Sequence, residues 1–338
     1  MVFPLAVGLL FLAVCYAYYK HSRRRFVALA AKIQGPPAWP LIGNALEFMG
    51  STQERLSQIV STRIFKAWLH PDWIFHLTSL GREFAKELNR ARHMAQKVVE
   101  QRKQKCVCTE SDGSKKIFID LLLEQSLSEQ EVLDEVTTML VAGNDTTATV
   151  SSFVLLALAV QQNAQERVRE ELRDIFGPDK RPATSNDLRQ MSFLEMCIKE
   201  TLRMFPVAPM LARRVTEDIK LTTSGLVLPA GCSVAICIQH MHRQPDIFPQ
   251  PELFLPERFS GKEKRHPYSF LPFSAGPRNC VGLRYAMLLV KVMTSTILRH
   301  YRLSSPIKSL NDIILTLDIL LKPVQGYPLI LEPLELHK

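Results

Sequence analysis

The sequence predicts an α+β fold, mostly helical, with a small sheet. Three observations carry this. Stretches with helical spacing recur from residue 62 to residue 300. Short β-rich runs, broken by a Ser-Gly turn, are confined to residues 218–238. Apolar residues make up 46% and charged residues 22% of the 338, a globular balance that excludes disorder, collagen and coiled coil.

The chain opens on Val2–Tyr19, an 18-residue run without a charge, near the short limit of a membrane span. Lys20-His21-Ser22-Arg23-Arg24-Arg25 follows at once. Positive charge behind the apolar run favours keeping that side in the cytosol. A cleaved leader would carry its charge in front. Residues 1–20 therefore read as a single-pass transmembrane anchor, 21–50 as a basic and Pro-rich hinge, and 51–338 as the cytosolic body. Pro36, Pro37 and Pro40 make the hinge a stiff spacer.

The formal charge is +9, and Lys20, Arg23, Arg24, Arg25 and Lys32 all precede Glu47, the first acid. No other basic run is interleaved with aromatics, so no nucleic-acid partner is expected. The seven cysteines are odd in number and contain no C-x-x-C pair, which excludes a disulfide framework and points to a reducing compartment.

Along the body, Thr62–Lys105 reads as helix with a break at His70-Pro71, and Lys103–Lys116 as a polar loop. Ser128 and Glu131 form an S-x-x-E capping box that starts a long helix to about Val160. That helix is apolar on nearly all sides, which predicts burial. An amphipathic helix covers Gln165–Phe176 and stops at Gly177-Pro178. Phe193–Phe205 is a further helix, ended by Pro206. Strands are expected at Asp218–Thr222, Leu226–Leu228 and Ser233–Ile238. A proline-rich stretch, Pro245–Pro277, precedes a last apolar helix from about Gly282 to His300. No internal repeat is present.

The chemistry concentrates in Phe273-Ser274-Ala275-Gly276-Pro277-Arg278-Asn279-Cys280-Val281-Gly282, an F-x-x-G-x-R-x-C-x-G pattern. Cys280 stands just before an apolar helix, whose free amides favour a thiolate. Gly276 permits a tight turn and Gly282 a close backbone approach. A thiolate so held is a strong axial ligand for haem iron, and Arg278 is placed to pair with a propionate. The plain alternative is a free cysteine at a helix start. Cys237, His240 and His242 also cluster, but alternating residues on one strand do not close a metal site.

With this motif the chain resembles the cytochrome P-450 family of haem-thiolate monooxygenases. The resemblance implies that Cys280 is the iron ligand and that Phe273 shields its sulfur. It implies that Glu200 and Arg203, an E-x-x-R pair on one helix face, join Arg258 of Pro256-Glu257-Arg258-Phe259 in a structural triad. In Ala142-Gly143-Asn144-Asp145-Thr146-Thr147 it implies a groove at Gly143 for dioxygen, with Thr146 hydrogen-bonding the bound oxygen and Asp145 relaying protons to it. Arg213 resembles a further propionate partner. The pattern is most similar to the animal clan of fatty-acid ω-hydroxylases, with insect members. Many of those carry Glu where this chain has Ala142, so non-covalent haem b is expected. The expected partners are an NADPH-dependent cytochrome reductase, a small apolar substrate and the endoplasmic reticulum membrane. A haem-thiolate isomerase is disfavoured by the Asp145-Thr146 pair.

The body is nevertheless short for such a fold. Through Ser61 it resembles the start of the family chain, and from Thr62 a region in its middle, so an internal block is expected to be missing. A family W-x-x-x-R motif is absent: four residues beyond Trp39, Trp68 and Trp73 stand Gly43, Asp72 and Leu77. An inactive remnant that binds no haem is therefore the alternative function.

Overall fold

The structure, a computed structural model, describes residues 55–108, 117–179, 181–261, 265–317 and 319–334. The expected anchor and hinge lie outside the described residues. Among the described residues no helix is long and apolar enough to cross a membrane. The chain divides into two units, a smaller one containing Met210–Cys237 and a larger one containing Ala45–Pro209 and Ile238–Lys338.

In the larger unit α1 (Arg55–Phe65) runs unbroken through Ser61-Thr62. Pro71 precedes α2 (Asp72–Leu77), and α3 extends over Ser79–Cys108. The part of the expected loop from Lys103 to Cys108 is therefore helix, and residues 109–116 lie outside the described residues. Lys103–Cys108 is polar but contains no glycine or proline, so nothing in it stops a helix. Arg102 holds the end of α3 to Asp120 on α4 (Phe118–Leu123) through two bonds of 2.6 and 2.8 Å. Ala95 and Val99 of α3 pack on Val132 and Val136 of the next helix.

That helix, α5 (Glu129–Val160), starts at the expected capping box. Ser128 Oγ accepts from Glu131 N at 3.3 Å, and Glu131 Oε2 accepts from Ser128 N at 2.7 Å. Its C-terminal half is core: Val154, Leu156, Ala157 and Leu158 have no exposed surface. The expectation of burial on nearly all sides fails at Leu140–Asn144, which is exposed. No described element covers that stretch, so its apolar side chains face outward.

Next come α6 (Gln162–Phe176), α7 (Ser185–Gln190) and α8 (Ser192–Met204). Gly177 ends α6 at φ 56°, a left-handed conformation that glycine adopts without penalty. Val168 and Leu172 of α6, Leu194 and Ile198 of α8, and Val290 and Leu298 of α10 (Leu283–His300) share one core with Val154 and Leu158. After α9 (Ile238–Met241) the described residues to Pro277 are irregular except for short 3-10 turns, as their prolines require.

The smaller unit holds two antiparallel pairs. Strand β1 (Met210–Arg214) pairs with β4 (Ser233–Cys237), and β2 (Ile219–Lys220) with β3 (Val227–Leu228). Three of these are the expected strands, shortened. β1 was not expected, because Met-Leu-Ala-Arg-Arg has no alternation. In the larger unit β5 (Tyr301–Ser304) pairs with β8 (Ile330–Pro333) and β6 (Leu315–Leu317) with β7 (Leu321–Pro323). Strands of three or four residues are too short to show a period.

Candidate functional site

The site is built on α8, α10 and the irregular chain between α9 and α10. Glu200 and Arg203 lie one turn apart on α8, and neither is accessible to solvent. They pair twice: Arg203 Nε donates to Glu200 Oε2 and Nη2 to Oε1, both at 2.8 Å. Arg203 also donates to the carbonyls of His242 at 3.1 Å and Leu253 at 3.2 Å. Glu200 Oε1 accepts from Leu255 N at 2.9 Å. Arg258 Nε approaches the same oxygen at 3.4 Å, and its Nη2 donates to Gln250 O at 2.7 Å.

The structure thus brings together the three residues singled out from the sequence. One buried carboxylate faces two guanidiniums, and three further donations, to the carbonyls of His242, Leu253 and Gln250, tie the pair to the backbone. Removing one partner of such a pair leaves an uncompensated charge, a loss of about 3–5 kcal/mol. His242-Arg243 and Pro251-Glu252-Leu253-Phe254 resemble family stretches, but nothing in the sequence shows that the backbone at residues 242, 250, 253 and 255 holds the triad.

The cysteine loop follows. Ser274 and Gly276 have φ of 62° and 77°, the left-handed region, so the segment is a sharp turn and not an extended strand. Leu271 O accepts from Ser274 N at 3.2 Å, Gly276 O from Asn279 N at 3.1 Å, and Phe273 O from Cys280 N at 2.9 Å. Gly282 stands at the start of α10, and a Cβ there would lie 3.9 Å from the Cys280 sulfur. Cys280 and Arg278 are exposed. Phe273 is half-buried against the main core. Beside this loop a groove of about 660 Å³ is lined by Leu202, Phe270, Phe273, Leu283, Met287 and Lys291, among others. Lys291 is buried and donates to Leu188 O at 2.9 Å and Glu195 Oε2 at 2.7 Å.

On α5, Gly143 is open: a Cβ added there would meet nothing within 4 Å. Thr146 Oγ1 donates back to Ala142 O at 2.6 Å. Asp145 Oδ1 accepts from Lys322 Nζ of β7 at 3.2 Å. Sequence reasoning missed Lys322, which lies 177 positions away with no motif to mark it. Arg213 belongs to the smaller unit, on β1, where it donates to Ala212 O at 2.9 Å. Among the described residues no group of three His, Cys, Asp or Glu side chains is arranged to hold a metal ion.

The residues fit a haem on its thiolate side. An accessible cysteine sulfur sits on a hydrogen-bonded loop at a helix start, with an accessible arginine two residues before it. Such a donor suits iron ligation and a propionate contact.

A family model described as Cytochrome P450 matches residues 44–330. Cytochrome P450 4g15 of Drosophila melanogaster is 43% identical over 230 residues, covering 65% of this chain and 40% of the relative. Cytochrome P450 4c3 of the same fly is 37% identical over 296 residues, covering 80% and 55%. The human cytochrome P450 4V2 is 35% identical over 291 residues, again covering 80% and 55%. The chain thus spans about half the length of the curated relatives it matches. The match runs through the triad and the cysteine loop, and on it the chain belongs to the cytochrome P450 family.

Proposed function

We propose that the chain is a haem-thiolate monooxygenase that binds haem b non-covalently through Cys280 and acts on a small apolar substrate. When bound, haem supplies the activation of dioxygen from which one oxygen atom enters the substrate. Cys280 would hold the iron and Arg278 a propionate. Phe273 O fixes the Cys280 backbone, and the open side of Gly143 leaves space along α5. Thr146 and Asp145 would hold protons, Asp145 from its place beside Lys322. Glu200, Arg203 and Arg258 keep the loop in place. The electrons would come from an NADPH-dependent reductase, and residues 1–20 would anchor the body on the cytosolic side of the endoplasmic reticulum membrane. The observation that carries the reading is the accessible sulfur of Cys280 on a loop already closed by backbone hydrogen bonds.

A second reading is a remnant that binds no haem. The exposed stretch Leu140–Asn144 and the half-length match favour it. The deciding measurement is a reduced, carbon monoxide difference spectrum on membranes that contain the full chain. A thiolate-type Soret band, lost in Cys280→Ser, is the expected result. No band from anchored, intact protein would leave the remnant.

A further inference from the structure

His242 follows α9 and has no exposed surface. Its two polar ends reach two different parts of the site. Its carbonyl accepts from Arg203 Nη1 at 3.1 Å, which ties it to the Glu200–Arg203 pair. Its Nε2 lies 2.9 Å from the backbone nitrogen of Leu271. A backbone N–H only donates, so Nε2 is the bare, accepting nitrogen and the ring proton sits on Nδ1. Leu271 begins the cysteine loop, and its own carbonyl closes the turn at Ser274. Phe270, one residue earlier, packs on the imidazole with ring centroids 5.1 Å apart.

Space-filling does not account for this side chain. Nδ1 is buried and makes no hydrogen bond of normal geometry among the described residues, although the backbone of Arg203 and Leu202 lies near enough to favour its proton. Leucine or phenylalanine would fill the volume without a poorly paired donor. What the imidazole adds is the acceptor for Leu271. Burial, with the Arg203 charge second, holds the ring's pKa down to about 4, so it stays an acceptor at neutral pH.

We propose that His242 is a positioning residue for the Cys280 loop. Through Leu271 it passes the fixed geometry of the Glu200–Arg203 pair to the segment that presents the sulfur. This holds for the haem-free chain; its bearing on iron ligation rests on the function proposed above.

The test compares the full 338-residue chain with His242→Leu and His242→Gln, all without haem. Glutamine keeps an acceptor oxygen at similar reach; leucine keeps only the volume. Two readouts are amide hydrogen exchange at Leu271 and site-resolved alkylation of Cys280 by iodoacetamide. Exposed Cys237 serves as the internal reference. His242→Leu should speed Leu271 exchange about fivefold, the worth of one hydrogen bond. It should also speed Cys280 alkylation and leave Cys237 unchanged. His242→Gln should stay within about twofold of the parent on both readouts.

A folded His242→Leu variant with unchanged Leu271 exchange or unchanged Cys280 alkylation overturns the proposal. So does a glutamine variant that behaves like leucine. If His242→Leu does not fold, nitrogen NMR of histidine-labelled parent chain decides: a bare Nε2 on His242 supports the strut, and a protonated Nε2 overturns it. Because neither readout needs haem, a missing carbon monoxide band would sink the monooxygenase reading and leave this test standing.

Discussion

At the scale of single residues, charge and its burial decide most of what happens at this site. Glu200 and Arg203 have no exposed surface, yet each finds its charge partner and backbone groups besides. Desolvation is thereby offset and the geometry fixed. His242 is the opposite case, a base kept neutral. Arg203 and Arg243 face it, each paired with its own carboxylate, Glu200 and Glu252. Its pKa falls from 6.5 unfolded to about 4 folded. The unfolded chain therefore binds this proton first as pH falls. The contribution to stability is complete above 6.5 and is lost progressively down to about 4, roughly 3 kcal/mol in all. Urea midpoints across that window should fall with pH in the parent chain and fall less in His242→Gln. Equal slopes in both would place the pH dependence elsewhere.

At the scale of elements, helix ends show how far the sequence could be read. The α5 start was legible because Ser128 and Glu131 sit three residues apart and cap each other. The α8 start was legible only as a pattern. Its free amides are held from another helix: Glu171 of α6 accepts from Phe193 N at 2.6 Å and Leu194 N at 2.9 Å. We expect Glu171→Ala to cost about 1 kcal/mol, seen as a lower urea midpoint, with Glu171→Gln intermediate. No change on Glu171→Ala would mean that water serves those amides equally well. The same limit applies to the site. Cys280, Gly276 and Arg278 were legible because they share one ten-residue motif. Glu200, Arg203 and Arg258 were legible through the family resemblance. Lys322 beside Asp145, and Leu271 beside His242, were not, because those contacts join residues with no shared pattern. The four strands after His300 were missed for another reason: each is too short to show a period.

At the scale of the whole molecule, the larger unit divides its apolar side chains into covered and bare sets. Val154, Leu156 and Leu158 of α5 are fully covered, whereas Leu140 and Val141 of the same helix are 38% and 49% exposed. Val281, Leu283 and Leu288 at the start of α10 are also exposed. Helical periodicity predicted burial for all of α5, since it reads the chain and not what surrounds it. Leu158→Ala should cost about 2–5 kcal/mol in urea unfolding. Val141→Ser should stay within about 0.5 kcal/mol. A large loss at Val141 would reveal a cover on that face. The wiring of the triad has one more consequence, and it concerns how the protein is made. Glu200 reaches Leu255 across 55 positions, Arg203 reaches His242 across 39, and His242 reaches Leu271 across 29. Closing loops of this size costs little more than closing shorter ones. None of these bonds draws on a residue beyond Leu271. A nascent chain can therefore cinch the knot beneath its cysteine while the terminal strands are still being translated.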